Sequence, residues 1–469
     1  MSREKSLIKN TAIVAVGQIG TKFISFFLLP LYTAVLTTYE YGITDLLNTY
    51  VSLLMPLIFF QADQAIFRFL IDYRQKEAAK QQLLSTVFLT VIVQAIVYLL
   101  LFGIISPFIQ NPYKYFLATN VISTMFANLM LQVSRGLGDN VTYSLGSLVS
   151  GAGTIILNIL FILVVKWGAY GMLIATMLAN VFCFFFVFYR LKVNRYIKIS
   201  FWNTEMLREV WNYSVPLIPN ALSWWIISAS DRTIVTYFLG ISINGVYSAS
   251  NKFSVIIVTL FSIFNLTWTE SASLTINDED SSDYFSNIIN QTIKLFVSVC
   301  LLVIAVMPFV FNYMITGEGF AGAYLQIPIL ILATLFNIAV SLLGSIYVAL
   351  KKSTEIAKTS IYSAIINIFV NLLLIQHIGL FAASLSTLVA YMAMAIYRYF
   401  DIKKYVVLKI DIKFILSILP IIILILFGYY FGSFYFKVFN IVLIAFLSIY
   451  YNFSLFRNMM KLFGRLVRK

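Results

Sequence analysis

Lys22, Arg68, Arg232, Lys252 and Lys294, together with Asp45, Asp63, Asp231 and Glu270, are the charged residues that fall inside long apolar stretches of the sequence. A charge in such a setting is costly, and by default it marks a binding site or an ion pathway. Cations held in a low-dielectric cleft would bind an anion far better than they could in water. Lys22 lies about fifteen residues into the first apolar run, roughly 22 Å along a helix at 1.5 Å per residue. That depth is near mid-bilayer, so the ammonium faces a watery cavity or a partner acid, and the cavity is the expectation. Lys252, in YSASNKFSV, has no acid three or four residues away on either side, which again favours a cavity. Asp231 and Arg232 are adjacent and therefore on different helix faces, so they do not simply neutralise one another. Arg232 is assigned to the cavity, and Asp231 to an interhelical pair or to ion coupling. Arg68 has Asp72 at i+4. It reads first as a surface pair and is kept as a fourth cavity cation. Asp63, in the sequence QADQ, is the other candidate to carry a coupling proton or sodium ion. Lys294, two turns into its helix, is expected to snorkel.

Other chemistries are not supported. The sequence contains no GxxxxGK[ST] loop and so no ATP-hydrolysing engine of that type. The single histidine, His377, has no carboxylate or cysteine cluster around it, and Cys183 and Cys300 both lie in apolar runs as small core residues, so no metal and no cofactor is expected. No pair of acids sits in a substantial external loop, as a membrane glycosyltransferase or polymerase would need.

The elements that must position these residues follow from composition. Of the 469 residues, 61% are hydrophobic and 11% charged, with a mean hydropathy of +0.90. Soluble domains run nearer a quarter charged. Apolar runs of at least 18 residues recur along the whole chain, which excludes a β-barrel and predicts an all-α membrane protein of about fourteen transmembrane helices. The first spans are expected at 8–36 and 43–70, and the seventh at 209–239. The net charge of +14 does not indicate nucleic acid, because the cations sit in short loops between spans. They crowd the loops on one side, whereas the opposite loops hold only Lys114, Lys166 and Lys437. This asymmetry predicts that both termini are cytoplasmic. The acidic segment TESASLTINDEDSSDY (269–284) reads as a cytoplasmic loop. The first run lacks a small-residue cleavage site and reads as a retained helix rather than a signal peptide.

The chain also repeats itself. Leu36 is followed six residues later by Gly42, and Leu239 six residues later by Gly245. GAYGMLIAT (168–176) aligns without gaps with GLFAASLST (379–387), and each of the helices that follow ends in Tyr-Arg, at 189–190 and 397–398. An even number of spans separates the copies, as in parallel repeats related by an axis along the membrane normal. The expected organisation is an N-terminal lobe over 1–200, a second lobe over 201–400, each of about six helices, and two further helices with a basic tail over 401–469.

Three stretches, TTYEYGITDLLNTY, AIFRFL (65–70) and DRTIVTYFLG…NGVYSASNKFS (231–254), resemble polysaccharide flippases of the Wzx type. These belong to the multidrug/oligosaccharidyl-lipid/polysaccharide (MOP) exporter superfamily. The resemblance covers about residues 1–400. It implies a bacterial cytoplasmic-membrane protein that moves an undecaprenyl-pyrophosphate-linked oligosaccharide between leaflets by alternating access, for capsule, O-unit or exopolysaccharide assembly. It also implies a cationic central cavity, with Lys22, Arg232 and Lys252 as its positions here, contact with membrane lipid, and polysaccharide polymerase machinery downstream. A lipid II or teichoic-acid precursor flippase and a multidrug or cation antiporter of the same superfamily are the alternatives. The antiporter should show carboxylates, rather than cations, dominating its cavity.

Overall fold

A chain crossing hydrocarbon must satisfy every backbone N–H and C=O internally, which a helix does within one segment. The computed structural model of the protein describes residues 26–466, and the described residues are helical with short connections. Lys22 lies outside them. Among them, twelve helices are long and apolar enough to cross a membrane. The chain divides into two compact units, residues 1–245 and 246–469.

The first unit contains α1 (Leu29–Val35), α2 (Thr38–Phe59), α3 (Ala62–Tyr73), α4 (Glu77–Ile105), α5 (Lys114–Leu137), α6 (Asn140–Ile159), α7 (Gly168–Arg190), α8 (Thr204–Ser214) and α9 (Ile218–Leu239). α10 (Ile241–Thr275) begins in it and continues into the second unit. There follow α11 (Ser281–Met314), α12 (Ala323–Ala349), α13 (Ser353–Ile378), α14 (Phe381–Ile402), α15 (Ile412–Phe431) and α16 (Phe434–Leu466).

Three spans differ from the sequence reading. The stretch 43–70 is not one helix: Phe60 (φ 50°) and Gln61 (φ 54°) are both left-handed and separate α2 from α3. Two consecutive non-glycine residues in that region are strained, and hydrophobicity alone gives no sign of it. The stretch 209–239 is also two pieces. Pro216 and Pro219 lack an N–H and disfavour helix before them, so an amphipathic α8, capped by the Asn203 side chain, is set off from α9. Conversely, most of the acidic segment predicted as loop is helix. α10 runs to Thr275 and α11 restarts at Ser281. At 35 and 34 residues, each is about 50 Å long and overshoots the roughly 30 Å hydrocarbon core.

The sequence repeat recurs as geometry inside each unit. α7 packs on α5 and α6, and α14 packs on α12 and α13. The arginine near the end of each of these helices donates its Nε to a threonine in the first two turns of the preceding helix. Arg190 bonds Thr142 Oγ1 at 2.9 Å, and Arg398 bonds Thr359 Oγ1 at 3.0 Å. Arg398, which the sequence reading puts at the end of its helix, is inside α14 and only 1% exposed. Its guanidinium also donates to the carbonyls of Val340 (2.9 Å) and Ile356 (3.4 Å) and lies over the Tyr347 ring. Gly344 leaves it room, since a Cβ there would come within 2.8 Å of its Nη1. The last two helices dock on α11, where Asn452 donates to Ser298 Oγ and Lys294 pairs with Asp411 at 2.6 Å. Lys294 therefore does not snorkel as expected. It is met by the acid that caps α15, whose carboxyl the ammonium holds below the usual carboxylate range.

Removing Arg398 would strand buried carbonyls and leave a cavity, at a cost on the order of 3 kcal/mol. Arg398→Ala should lower the thermal unfolding midpoint in detergent and reduce membrane abundance. Arg398→Lys should recover only part of it, because one ammonium cannot reach three acceptors on two helices.

Candidate functional site

Two of the three family-like sequence stretches, 37–50 and 231–254, meet at the start of α2. Thr37 caps that helix in a reciprocal box: its hydroxyl accepts from the Glu40 N–H, and the Glu40 carboxylate accepts from the Thr37 N–H. One turn further on, Gly42 is in backbone contact with the beginning of α10. A Cβ on Gly42 would overlap the carbonyl of Ile241, and a Cβ on Gly245 would overlap the carbonyl of Thr38. The relation is reciprocal. Thr38 and Gly42 stand two and six residues beyond Leu36, and Ile241 and Gly245 two and six beyond Leu239. The repeat-equivalent glycines are therefore the two halves of one crossing, at a separation only glycine allows. Asn244, fully buried, closes it by donating to the Gly42 carbonyl at 3.0 Å.

Below the crossing α9 lies along α2. Trp225 Nε1 donates to the Thr49 carbonyl and to Ser52 Oγ. Arg232 Nε donates to Asp45 Oδ2 at 2.8 Å, with the two side chains only 13% and 18% exposed. The same guanidinium donates to the Ser228 carbonyl at 2.9 Å. Asp45 was legible as an intramembrane acid, but its partner, 187 residues away, was not. Arg232 thus meets a carboxylate one helix over rather than standing uncompensated. Asp231, its neighbour, is buried at 2% exposure on another face of α9.

The remaining candidates sit elsewhere. Arg68 is held by Asp72 in an i,i+4 pair at 2.7 Å, with both side chains about half exposed, 50% and 52%. Such a pair contributes little to stability. Asp63 is half-buried in the first turn of α3, just past the left-handed break, and accepts from Gln64 Nε2 at 3.0 Å. Lys252, in the second unit, is half-buried in α10 and has no hydrogen bond or ion pair among the described residues. Ser248 and Ser254 flank it, and their buried hydroxyls also have no hydrogen-bond partner among those residues. No group of three or more metal-type ligands occurs among the described residues.

The sequence profile described as polysaccharide biosynthesis protein matches residues 7–269, more than half of the chain. The chain belongs to that family. No curated protein matches it in sequence. Among solved structures it is similar to the lipid II flippase MurJ in an inward closed conformation, with a TM-score of 0.71 and 15% identity over 94% of this chain and 99% of that one. It is also similar to an inward-facing multidrug-resistance MATE transporter of the MOP superfamily, with a TM-score of 0.66 and 12% identity over 82% of this chain and 96% of that one. A third similarity is to a MOP superfamily transporter from Pyrococcus furiosus, with a TM-score of 0.59 and 13% identity over 84% and 96% of the two chains. At these identities the likeness establishes the fold. This polysaccharide biosynthesis family member is a multi-pass membrane protein with the fold of transporters and flippases, and its fold neighbours are not catalysts.

Because the crossing has no space for a side chain, Gly42→Ala and Gly245→Ala should each force its two backbones apart. Each should lower the thermal unfolding midpoint, and valine at either position should lower it further. A control at Gly103, where a Cβ meets nothing within 4 Å, should stay near wild type.

Proposed function

We propose that this protein flips a polyprenyl-pyrophosphate-linked oligosaccharide from the cytoplasmic to the outer leaflet of the bacterial cytoplasmic membrane, by alternating access of its two repeats. The observation that carries the reading beyond family and fold is Lys252, a half-buried ammonium inside a membrane-length helix with no ion-pair partner among the described residues. A fixed positive charge of that kind suits an anionic headgroup, and it would be a liability in a carrier of cationic drugs. Lys22 and Arg232 complete the cationic site in this reading. Arg232 would exchange Asp45 for a phosphate as substrate arrives, so that its charge is compensated in both states. The polyprenyl tail stays in the bilayer while the head passes between the repeats. Asp63 and Asp231 are the candidates for proton or sodium coupling. Both termini face the cytoplasm, as the crowding of lysine and arginine on one side suggests. The product would be handed to polysaccharide polymerase machinery outside.

The test separates binding from folding. Lys252→Ala should abolish surface glycan while membrane abundance stays near normal, and Lys252→Arg should restore part of the export. Asp45→Ala should behave differently. It strands the Arg232 guanidinium at a cost on the order of 3–5 kcal/mol and should deplete the protein, and adding Arg232→Ala should restore abundance without export. Wild-type glycan from Lys252→Ala at normal abundance would remove Lys252, and with it the observation the proposal rests on.

A further inference from the structure

The connection between α6 and α7 passes beside the first turn of α2, and a cavity of about 420 Å³ opens there. Its floor is apolar, with Ile162 fully buried beneath and Val35 and Leu163 partly exposed at its sides. Its rim carries two opposite charges, Glu40 and Lys166, and the half-exposed indole of Trp167. The charges do not pair with one another. Lys166 has no hydrogen bond or ion pair among the described residues. Glu40 is held in place by its capping duties: Oε2 accepts from the Thr37 N–H and hydroxyl, both at 3.0 Å, and Oε1 accepts from the Ala169 N–H at 3.4 Å. Gly168 (φ 53°) makes that approach possible, since a Cβ there would overlap Glu40 Oε1. A carboxylate offers about four lone-pair sites, so one remains for a further donor.

An oriented carboxylate, a free ammonium, an apolar floor open to the side and a tryptophan of the kind that marks the membrane interface together describe the complement of a zwitterionic amphiphile. We propose that this cavity is a headgroup site for a phospholipid bearing a primary ammonium, phosphatidylethanolamine in composition. Its ammonium donates to Glu40, its phosphate sits on Lys166, and its acyl chains run over Val35 and Leu163. A quaternary choline cannot donate a hydrogen bond to Glu40, and a glycerol headgroup brings no positive charge. The lipid would therefore sit on the cap of α2, one turn from the Gly42–Gly245 crossing, and stabilise the helix start on which that crossing depends.

The experiment uses the full-length protein in nanodiscs of dioleoyl-phosphatidylcholine containing either dioleoyl-phosphatidylethanolamine or dioleoyl-phosphatidylglycerol, and reads the thermal unfolding midpoint and the co-purifying lipid. The ethanolamine lipid should raise the midpoint above that in choline or glycerol lipid and should be retained through purification. Glu40→Gln keeps the capping box, because its amide oxygen still accepts from Thr37, but it replaces the other carboxylate oxygen by an NH2 group and removes the charge, and it should abolish the difference. Lys166→Asn keeps the left-handed backbone (φ 60°), which asparagine tolerates, and should abolish it too. An equal response to ethanolamine and glycerol lipids would overturn the proposal in favour of a generic phosphate contact. It is equally overturned if no lipid dependence is seen, or if either variant retains the full effect. Should a variant fold poorly, native mass spectrometry of the wild type, counting retained ethanolamine against choline lipid at equal supply, decides between the same outcomes.

Discussion

Two helices can approach until their backbones touch only where neither has a side chain, and the start of α2 and the start of α10 do so at Gly42 and Gly245. Much of the first unit's arrangement follows from that contact. The hydrogen bond from Asn244 to the Gly42 carbonyl forms only at this separation. With the start of α10 fixed there, the preceding helix α9 lies along α2, and the Arg232–Asp45 and Trp225–Thr49 contacts follow one after another down the pair. The contact is also reciprocal between sequence-equivalent positions, as expected of a local two-fold relation between repeats. A crossing built from backbone contact and one side-chain hydrogen bond is close but makes few bonds, which suits the parting that the proposed alternating access would require.

The fold carries cations through an apolar environment in distinct ways, and the differences sort them. Arg398 is surrounded by carbonyls, a hydroxyl and an aromatic face in the core of a three-helix packing, a structural solution with no route for a ligand. Arg190 makes the equivalent bond in the first unit, so this brace belongs to the repeat and not to transport. Lys294 and Arg232 each meet a carboxylate from another helix, and Arg68 meets one on its own. Lys252 has no such partner among the described residues. In a low-dielectric setting that contrast is large in energy, and it is the reason Lys252 is the proposed contact for an anionic headgroup.

Composition and hydrophobic runs made the membrane class and most helix positions legible, because the cost of unsatisfied backbone in lipid leaves few alternatives. The Leu–Gly spacing at 36–42 and 239–245 was legible as a repeat; the backbone contact at Gly42 and Gly245 themselves is seen only in the structure. Helix breaks were less visible. Phe60 and Gln61 are ordinary residues in an apolar run, and their left-handed backbone comes from tertiary packing that no local pattern reports. The prolines at 216 and 219 are the one local mark of the break between α8 and α9. Charge partners were the least legible. Arg68–Asp72 follows from i,i+4 spacing, whereas Arg232–Asp45 and Lys294–Asp411 join residues more than a hundred positions apart. The burial of Arg398 was not legible, because an arginine near a helix end normally reaches water, and only the notch at Gly344 reveals that it turns inward.

The proposed alternating access requires the crossing of α2 and α10 to open during transport. The most direct measurement joins its two strands reversibly, with cysteines at Thr38 and Ser242 in an otherwise cysteine-free protein, and follows surface glycan as the disulfide is formed and then reduced. The account predicts that quantitative oxidation stops export at normal membrane abundance and that reduction restores it. Export that continues unchanged through complete crosslinking would mean that this junction stays closed throughout the cycle, and the account would be wrong.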